Sequence, residues 1–182
     1  MANVDLSKYS NSWYRTSSKL RIVLWMICSA VFFRSSLPFP SFFKVSLLRV
    51  FGSRCGMGVV IKPSINIKYP WLLSIGNYVW LGENVWIDNL CEVEIQDSVC
   101  ISQGALLLTG NHDYKKSTFD LIVGKIILKS GCWVGAMSTV CPGVTLHENS
   151  VLSVGSVATS DLEKNYIYQG NPAQKKKRRI ID

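Results

Sequence analysis

From Cys55 onward, apolar residues recur every six positions, a spacing that fits neither the 3.6-residue turn of a helix nor the two-residue alternation of a strand. Cys55, Ile61 and Ile67 are followed by Ile75, Leu81 and Ile87, then by Ile95, Ile101 and Leu107; the step is six within each triplet and eight between triplets, giving a period of twenty. After an interruption the hexads resume at Leu128, Val134, Val140, Leu146 and Leu152. Four positions beyond these residues stand small or aliphatic ones: Ile65, Val79, Val85, Cys91, Val99, Ala105, Cys132, Ser138, Val144 and Ser150. Gly, Asn and Asp punctuate the hexads, as in "SIGNYVWLGENVWIDN", where the chain must turn. The pattern predicts an all-β solenoid with three short strands per coil, a triangular prism whose inward columns stack aliphatic on aliphatic. Two surplus residues in each eight-residue step fall at one corner of the prism.

Ahead of the repeat the periodicity changes. Residues 20–33, "LRIVLWMICSAVFF", form the most apolar window, shorter than the roughly 20 residues a membrane span requires. The window also begins too deep in the chain for an ordinary secretory leader. It predicts a helix packed on the rest of the protein or lying on a membrane surface. "FFKVSLLRVF", residues 42–51, has apolar positions at helical spacing with cations between them, and Pro38 and Pro40 separate the two segments. A solenoid exposes unpaired strand edges at its ends, so residues 1–52 are expected to cap a repeat domain over residues 53–173, with residues 174–182 as a tail leaving the last coil.

The interruption, "LLLTGNHDYKKSTFDLIVGK" at residues 107–126, carries His112, one of two histidines in the chain. Counting back one period of twenty from His112 reaches Glu92, so a loop over residues 111–125 leaves the prism at the corner that elsewhere holds two surplus residues. An imidazole ordinarily titrates at about 6.5, so its neutral form can accept a proton from a hydroxyl near neutral pH. Glu92 or Asp113 is the candidate to orient it. His147, in "LHENS", has no such setting.

Charge and cysteine content narrow the chemistry. The chain has formal net charge +8, five of it from "QKKKRR" at residues 174–179, which suits either a solvated tail or an anionic partner. No interleaving of basic and aromatic residues accompanies that run, so nucleic acid is not expected. The six cysteines show no CxxC pair and fit small buried hydrophobes in a reducing cytosol.

Several stretches together carry a resemblance: "DLSKYS", "YPWLLSIGNYVWLGENVWIDNL", "ISQGALLLTGNHDY", "GCWVGAMSTVCPGVTL" and "YQGNPA". The chain resembles the left-handed parallel β-helix acyltransferases, in particular exopolysaccharide O-acetyltransferases of the colanic acid type, and more distantly the maltose and galactoside acetyltransferases. The resemblance implies a cytoplasmic homotrimer that transfers an acetyl group from acetyl-CoA to a sugar hydroxyl during exopolysaccharide, capsule or O-antigen synthesis, without a metal. It implies His112 as general base and Asn89, in "WIDNL", as a contact to the acceptor or acetyl group. Trp133 corresponds to a tryptophan beside the thioester and pantetheine arm, and Ala136 and Val154 to backbone contacts with coenzyme A. Thr159 and Ser160 stand where relatives have threonine and lysine, and Gln174 stands where they have arginine. Lys177 or a neighbouring lysine is then expected to supply charge for the 3′-phosphate.

A lipid-linked acceptor would bring the apolar N-terminal helices to the inner membrane face. Other readings on this fold are a nucleotide-sugar or antibiotic acetyltransferase and a non-catalytic scaffold. The γ-class carbonic anhydrases bind zinc through three histidines, one more than this chain has.

Overall fold

The computed structural model describes residues 3–182. Helix α1 (Lys19–Phe32) and helix α2 (Ser41–Val50) precede a parallel β-solenoid whose strands are mostly two or three residues long. The first face stacks Arg54–Cys55, Leu73–Ile75, Val93–Ile95, Ile126–Leu128 and Thr145–Leu146. The second stacks Val60–Ile61, Trp80–Leu81, Cys100–Ile101, Trp133–Val134, Val151–Leu152 and Tyr166–Gln169. The third stacks Asn66–Ile67, Trp86–Asp88, Leu106–Leu108, Thr139–Val140 and Val157–Ala158.

The hexad positions are the inward columns. Cys55, Ile75, Ile95, Leu128 and Leu146 lie in register on the first face. Ile61, Leu81, Ile101, Val134 and Leu152 do so on the second, and Ile67, Ile87, Leu107 and Val140 on the third. All but Cys55 are buried, as are the residues four positions on, except half-buried Cys91. Each fully buried aliphatic side chain contributes about 1.5–3 kcal/mol relative to leaving it in water. Strands this short have little stability alone, so the stacked columns hold the prism together. All six thiols are free.

The surplus residues fall at the corner between the third and first faces, where Pro70–Leu72 form a 3-10 turn in one coil. Beyond the interruption, Leu128 pairs with Leu146, eighteen residues later, so this corner loses its surplus in the last coils.

The N-terminal helices cap the first coil by satisfying its open edge. Trp25 Nε1 donates to the Ile67 carbonyl at 2.9 Å, and Lys44 Nζ donates to the Lys62 carbonyl at 3.0 Å. Ser41 Oγ accepts from the Ile61 N–H at 3.0 Å, and Arg49 donates to the Cys55 and Gly56 carbonyls at 2.9 and 3.1 Å. Backbone groups that would template another strand are closed by side chains, which blunts edge-to-edge association.

Burial lowers the Lys44 pKa from its ordinary 10.5. The unfolded chain therefore holds this proton more tightly than the folded one, and stability rises as pH climbs from the folded pKa to the unfolded one. The cost of burying the charge is fully present below the folded value. Urea titrations at pH 8 and pH 10 should show wild type gaining stability relative to Lys44→Met at the higher pH; an unchanged gap would assign the lysine no linkage.

The basic tail departs from expectation. Gln174–Arg178 does not leave the last coil but folds back as a strand antiparallel to Tyr166–Gln169. Backbone pairing is indifferent to the charge of outward side chains, and the last coil leaves an edge that needs a partner. Lys175 ion-pairs with Glu163 at 2.7 Å and lies 4.4 Å from the Tyr166 ring centroid, while Arg179 donates to the Gly131 and Asn149 carbonyls. The run of cations thus covers the end of the second face.

Candidate active site

At the corner between the third and first faces the chain leaves the prism as an antiparallel hairpin, Gly110–His112 paired with Leu121–Val123. Thr109 anchors its root. Its hydroxyl donates to the Asp88 carbonyl at 3.0 Å and accepts from the Cys91 N–H at 3.1 Å, tying the hairpin to the preceding coil. Gly110 passes so close to Leu90 that an added Cβ would lie 2.5 Å from Leu90 Cδ1. A side chain there would push the arm off the corner.

His112 is opposite Leu121 in the hairpin. Its Nδ1 lies 2.9 Å from the Phe119 carbonyl oxygen, and its ring stacks on the Phe119 ring with centroids 4.4 Å apart and planes 7° from parallel. A carbonyl oxygen can only accept, so Nδ1 carries the proton and the neutral ring keeps its lone pair on Nε2. Phe119 adopts a left-handed backbone conformation, φ 52°, rare for a bulky residue, and in it contributes both the ring and the carbonyl. The expected carboxylate partners are engaged elsewhere: Glu92 with Lys125 at 3.6 Å, and Asp113 with the Lys115 N–H at 3.1 Å.

The N-terminal segment closes over this arm. Asp5 N–H donates to the Ser117 carbonyl at 2.9 Å, and the Tyr9 ring centroid lies 5.6 Å from that of His112. Tyr14 donates to the Leu90 carbonyl at 2.5 Å, and burial pushes its phenol pKa well above the ordinary value, keeping it a neutral donor. Between segment and prism lies a cleft of about 890 Å³, lined by Tyr9, Tyr14, Arg15, Lys68, Tyr69 and His112 among others. Lys68 pairs with Asp88 at 2.9 Å. The cleft has the size of a small-molecule site, and tyrosines, cations and one imidazole line it together.

The remaining predicted residues divide by corner. Asn89 sits beside the cleft but is fully buried: Oδ1 accepts from the Tyr69 N–H at 3.0 Å and Nδ2 donates to the Tyr69 carbonyl at 2.6 Å. It braces the corner between successive coils. Thr159 and Ser160 are exposed at the same corner, beyond the last strand of the third face. Trp133 is on the second face, 46% exposed, with Nε1 donating to Ser102 Oγ at 2.9 Å. Ala136 and Val154 follow at the corner between the second and third faces, in successive coils, where the Ala136 carbonyl accepts from Gly155. Lys177 is exposed opposite Ile167 on the terminal strand. Within the chain His112 and the Trp133 group therefore stand at opposite edges of the third face.

Sequence reasoning missed Phe119, Thr109, Tyr9, Tyr14 and Lys68. "TGNHDY" flagged the threonine by adjacency and "DLSKYS" contained Tyr9, but neither stretch assigns them a contact. Replacing Phe119 with alanine should lower kcat about tenfold by removing the ring that stacks on the imidazole, with the KM for the acyl donor unchanged, measured by steady-state kinetics. An equal rise in KM would place Phe119 in donor binding instead.

Stacked hexads with a hairpin arm at one corner match the architecture of hexapeptide-repeat acetyltransferases. No family model matches the chain. It is 35% identical over 170 residues to WcaF of Escherichia coli K12, assigned as a colanic acid biosynthesis acetyltransferase, with 93% of each chain covered. It is 27% identical over 133 residues to the Escherichia coli galactoside O-acetyltransferase, spanning 71% of this chain and 65% of that one. Among solved structures, a galactoside acetyltransferase in complex with coenzyme A superposes with TM-score 0.77 at 22% identity, over 87% of this chain and 80% of that one. A maltose O-acetyltransferase of Clostridium difficile 630 superposes with TM-score 0.74 at 20% identity over the full length of both. The chain belongs to the hexapeptide-repeat acetyltransferase family that includes WcaF.

Proposed function

We propose that the protein transfers an acetyl group from acetyl-CoA to a hydroxyl of a saccharide in exopolysaccharide, capsule or O-antigen synthesis, with His112 as general base. The Phe119 carbonyl carries this reading, because it fixes the tautomer in which Nε2 accepts a proton, on a ring that lines the cleft. Nε2 takes the hydroxyl proton as the oxygen attacks the thioester carbon. The tetrahedral oxyanion is met by backbone N–H groups; coenzyme A leaves as thiolate and takes the proton from the imidazolium. Tyr9, Tyr14 and Lys68 hold the saccharide, and Asn89 positions the corner beneath it.

Acetyl-CoA lies along Trp133, with the Ala136 and Val154 N–H groups on its pantetheine arm; neither N–H has a partner among the described residues. Thr159, Ser160 and Lys177 attend its nucleotide end. Since one prism holds His112 and Trp133 at opposite edges of a face, the site is completed by a neighbouring protomer, in a homotrimer. Trp80, Trp86 and Trp133, all nearly half exposed on the second and third faces, supply apolar surface for that contact. Among the described residues no group of three His, Cys, Asp or Glu side chains is placed to hold a metal ion. A transfer assay with labelled acetyl-CoA over a panel of free, nucleotide-linked and lipid-linked saccharides, together with sedimentation equilibrium, tests both parts. Acetyl-CoA binding without transfer to any saccharide would reject the acceptor class, and a monomer with full turnover would reject the shared site.

A further inference from the structure

Helix α1 uses only a narrow stripe to hold the solenoid. Trp25 and Ser29 are buried and Phe33 follows them into the core, but the opposite side is left to solvent. Leu20, Val23, Leu24, Ile27 and Val31, spaced to fall on one side of a helix, are all exposed, Leu20 at 69% and Ile27 at 60%. Met26 beside them widens the patch, and Phe42 on α2, 75% exposed, and Trp13 ahead of α1 are exposed as well. A surface helix of a globular domain normally turns charged residues outward, yet no charged residue stands between Arg21 and Arg34. Scattered exposed apolar residues need no explanation, whereas a continuous stripe of them does.

The charge around the patch is one-sided. Residues 6–82 contain ten Lys and Arg and no Asp or Glu. Arg15 and Lys19 stand exposed at the start of α1 and Arg34 at its end. The helix has fourteen residues, about 21 Å of rise, against a hydrocarbon core of about 30 Å, and among the described residues no helix is long and apolar enough to cross a membrane. It can lie on a bilayer but not span it. The same helix walls the His112 cleft, which Lys19 and Ile22 line.

We propose that the outward face of α1, with Phe42 and the flanking cations, docks the protein on an anionic phospholipid surface, the apolar side chains entering the headgroup boundary and Arg15, Lys19 and Arg34 meeting lipid phosphates. Docking would set the cleft against the bilayer, where an acceptor with a lipid anchor is presented. That last step rests on the saccharide reading above; docking itself does not.

The test is co-sedimentation of the full chain with vesicles of phosphatidylglycerol and phosphatidylcholine in equal amounts, and with phosphatidylcholine alone, at low and high salt. Wild type should sediment with the anionic vesicles and lose most of that binding at 1 M salt. The triple variant Leu20→Gln, Leu24→Gln, Ile27→Gln, confined to exposed positions, should bind at least about tenfold more weakly, while Arg34→Glu should weaken binding at low salt and flatten its salt dependence. Acetyl-CoA binding by the triple variant, measured by titration calorimetry, should match wild type, which separates lost docking from a lost fold or a failed acetyltransferase reading. Equal sedimentation of wild type and triple variant, or none by wild type, would overturn the proposal. So would a triple variant whose oligomer falls apart, since the patch would then be an interface between copies.

Discussion

Replacing His112 with alanine should reduce acetyl transfer by roughly a thousandfold, within the 10²–10⁴ that general-base catalysis typically supplies. The expectation follows from geometry more than from residue type. Nδ1 is held by a backbone carbonyl that no neighbouring substitution removes, so the proton-accepting nitrogen is defined before substrate arrives. Binding of acetyl-CoA should persist, because Trp133, Ala136 and Val154 stand at another corner of the prism. The fold should persist as well: the ring is only partly buried, and it packs against Phe119 and Tyr9 at the hairpin rather than in the solenoid core. Steady-state rates, calorimetry with acetyl-CoA and a thermal melt read the three quantities. A variant that kept a tenth or more of wild-type turnover would remove His112 from the base role. Restoration by His112→Gln would also count against proton transfer, because glutamine supplies a hydrogen bond but takes up no proton.

The solenoid was legible because its period is written along one dimension: each inward column is a set of positions a fixed count apart, and counting assigned nearly all of them. Counting also located the corner from which the hairpin departs. Three features lay outside its reach, each for a physical reason. Phe119 acts on His112 through a carbonyl, which every residue possesses, so no side-chain pattern marks it. Residues 5–19 reach the hairpin through contacts over a hundred positions away, such as Asp5 to Ser117, in segments too polar and irregular to carry periodicity. The terminal cations looked like a solvated run, because composition reports side chains and strand pairing is made by the backbone. Asn89 shows a further limit. A polar residue beside a site suggests a ligand contact, whereas burial turns its amide to the only donors and acceptors at hand, those of Tyr69.

The largest effect on stability is expected at Trp25. Its indole is 2% exposed, packs edgewise on Phe33 and Phe51 at centroid distances of 5.0 and 5.1 Å, and donates to the Ile67 carbonyl. Trp25→Ala removes the largest buried side chain of the cap and should cost about 3–5 kcal/mol. The orphaned Ile67 carbonyl would add about 1–3 kcal/mol unless water reaches it. Trp25→Phe separates the two, since it keeps most of the packing and loses only the donor; it should cost about 1–3 kcal/mol. The loss should be local at first. Each coil touches only its neighbours, so hydrogen exchange should rise in the first coil, residues 54–67, before it rises at Thr145–Leu146 or Val151–Leu152. Exposing the edge of the first coil also removes what blunts strand pairing there, and the variant should aggregate at concentrations where wild type does not. Uniform exchange along the solenoid in Trp25→Ala would mean that the coils open as one unit and that the cap protects all of them equally.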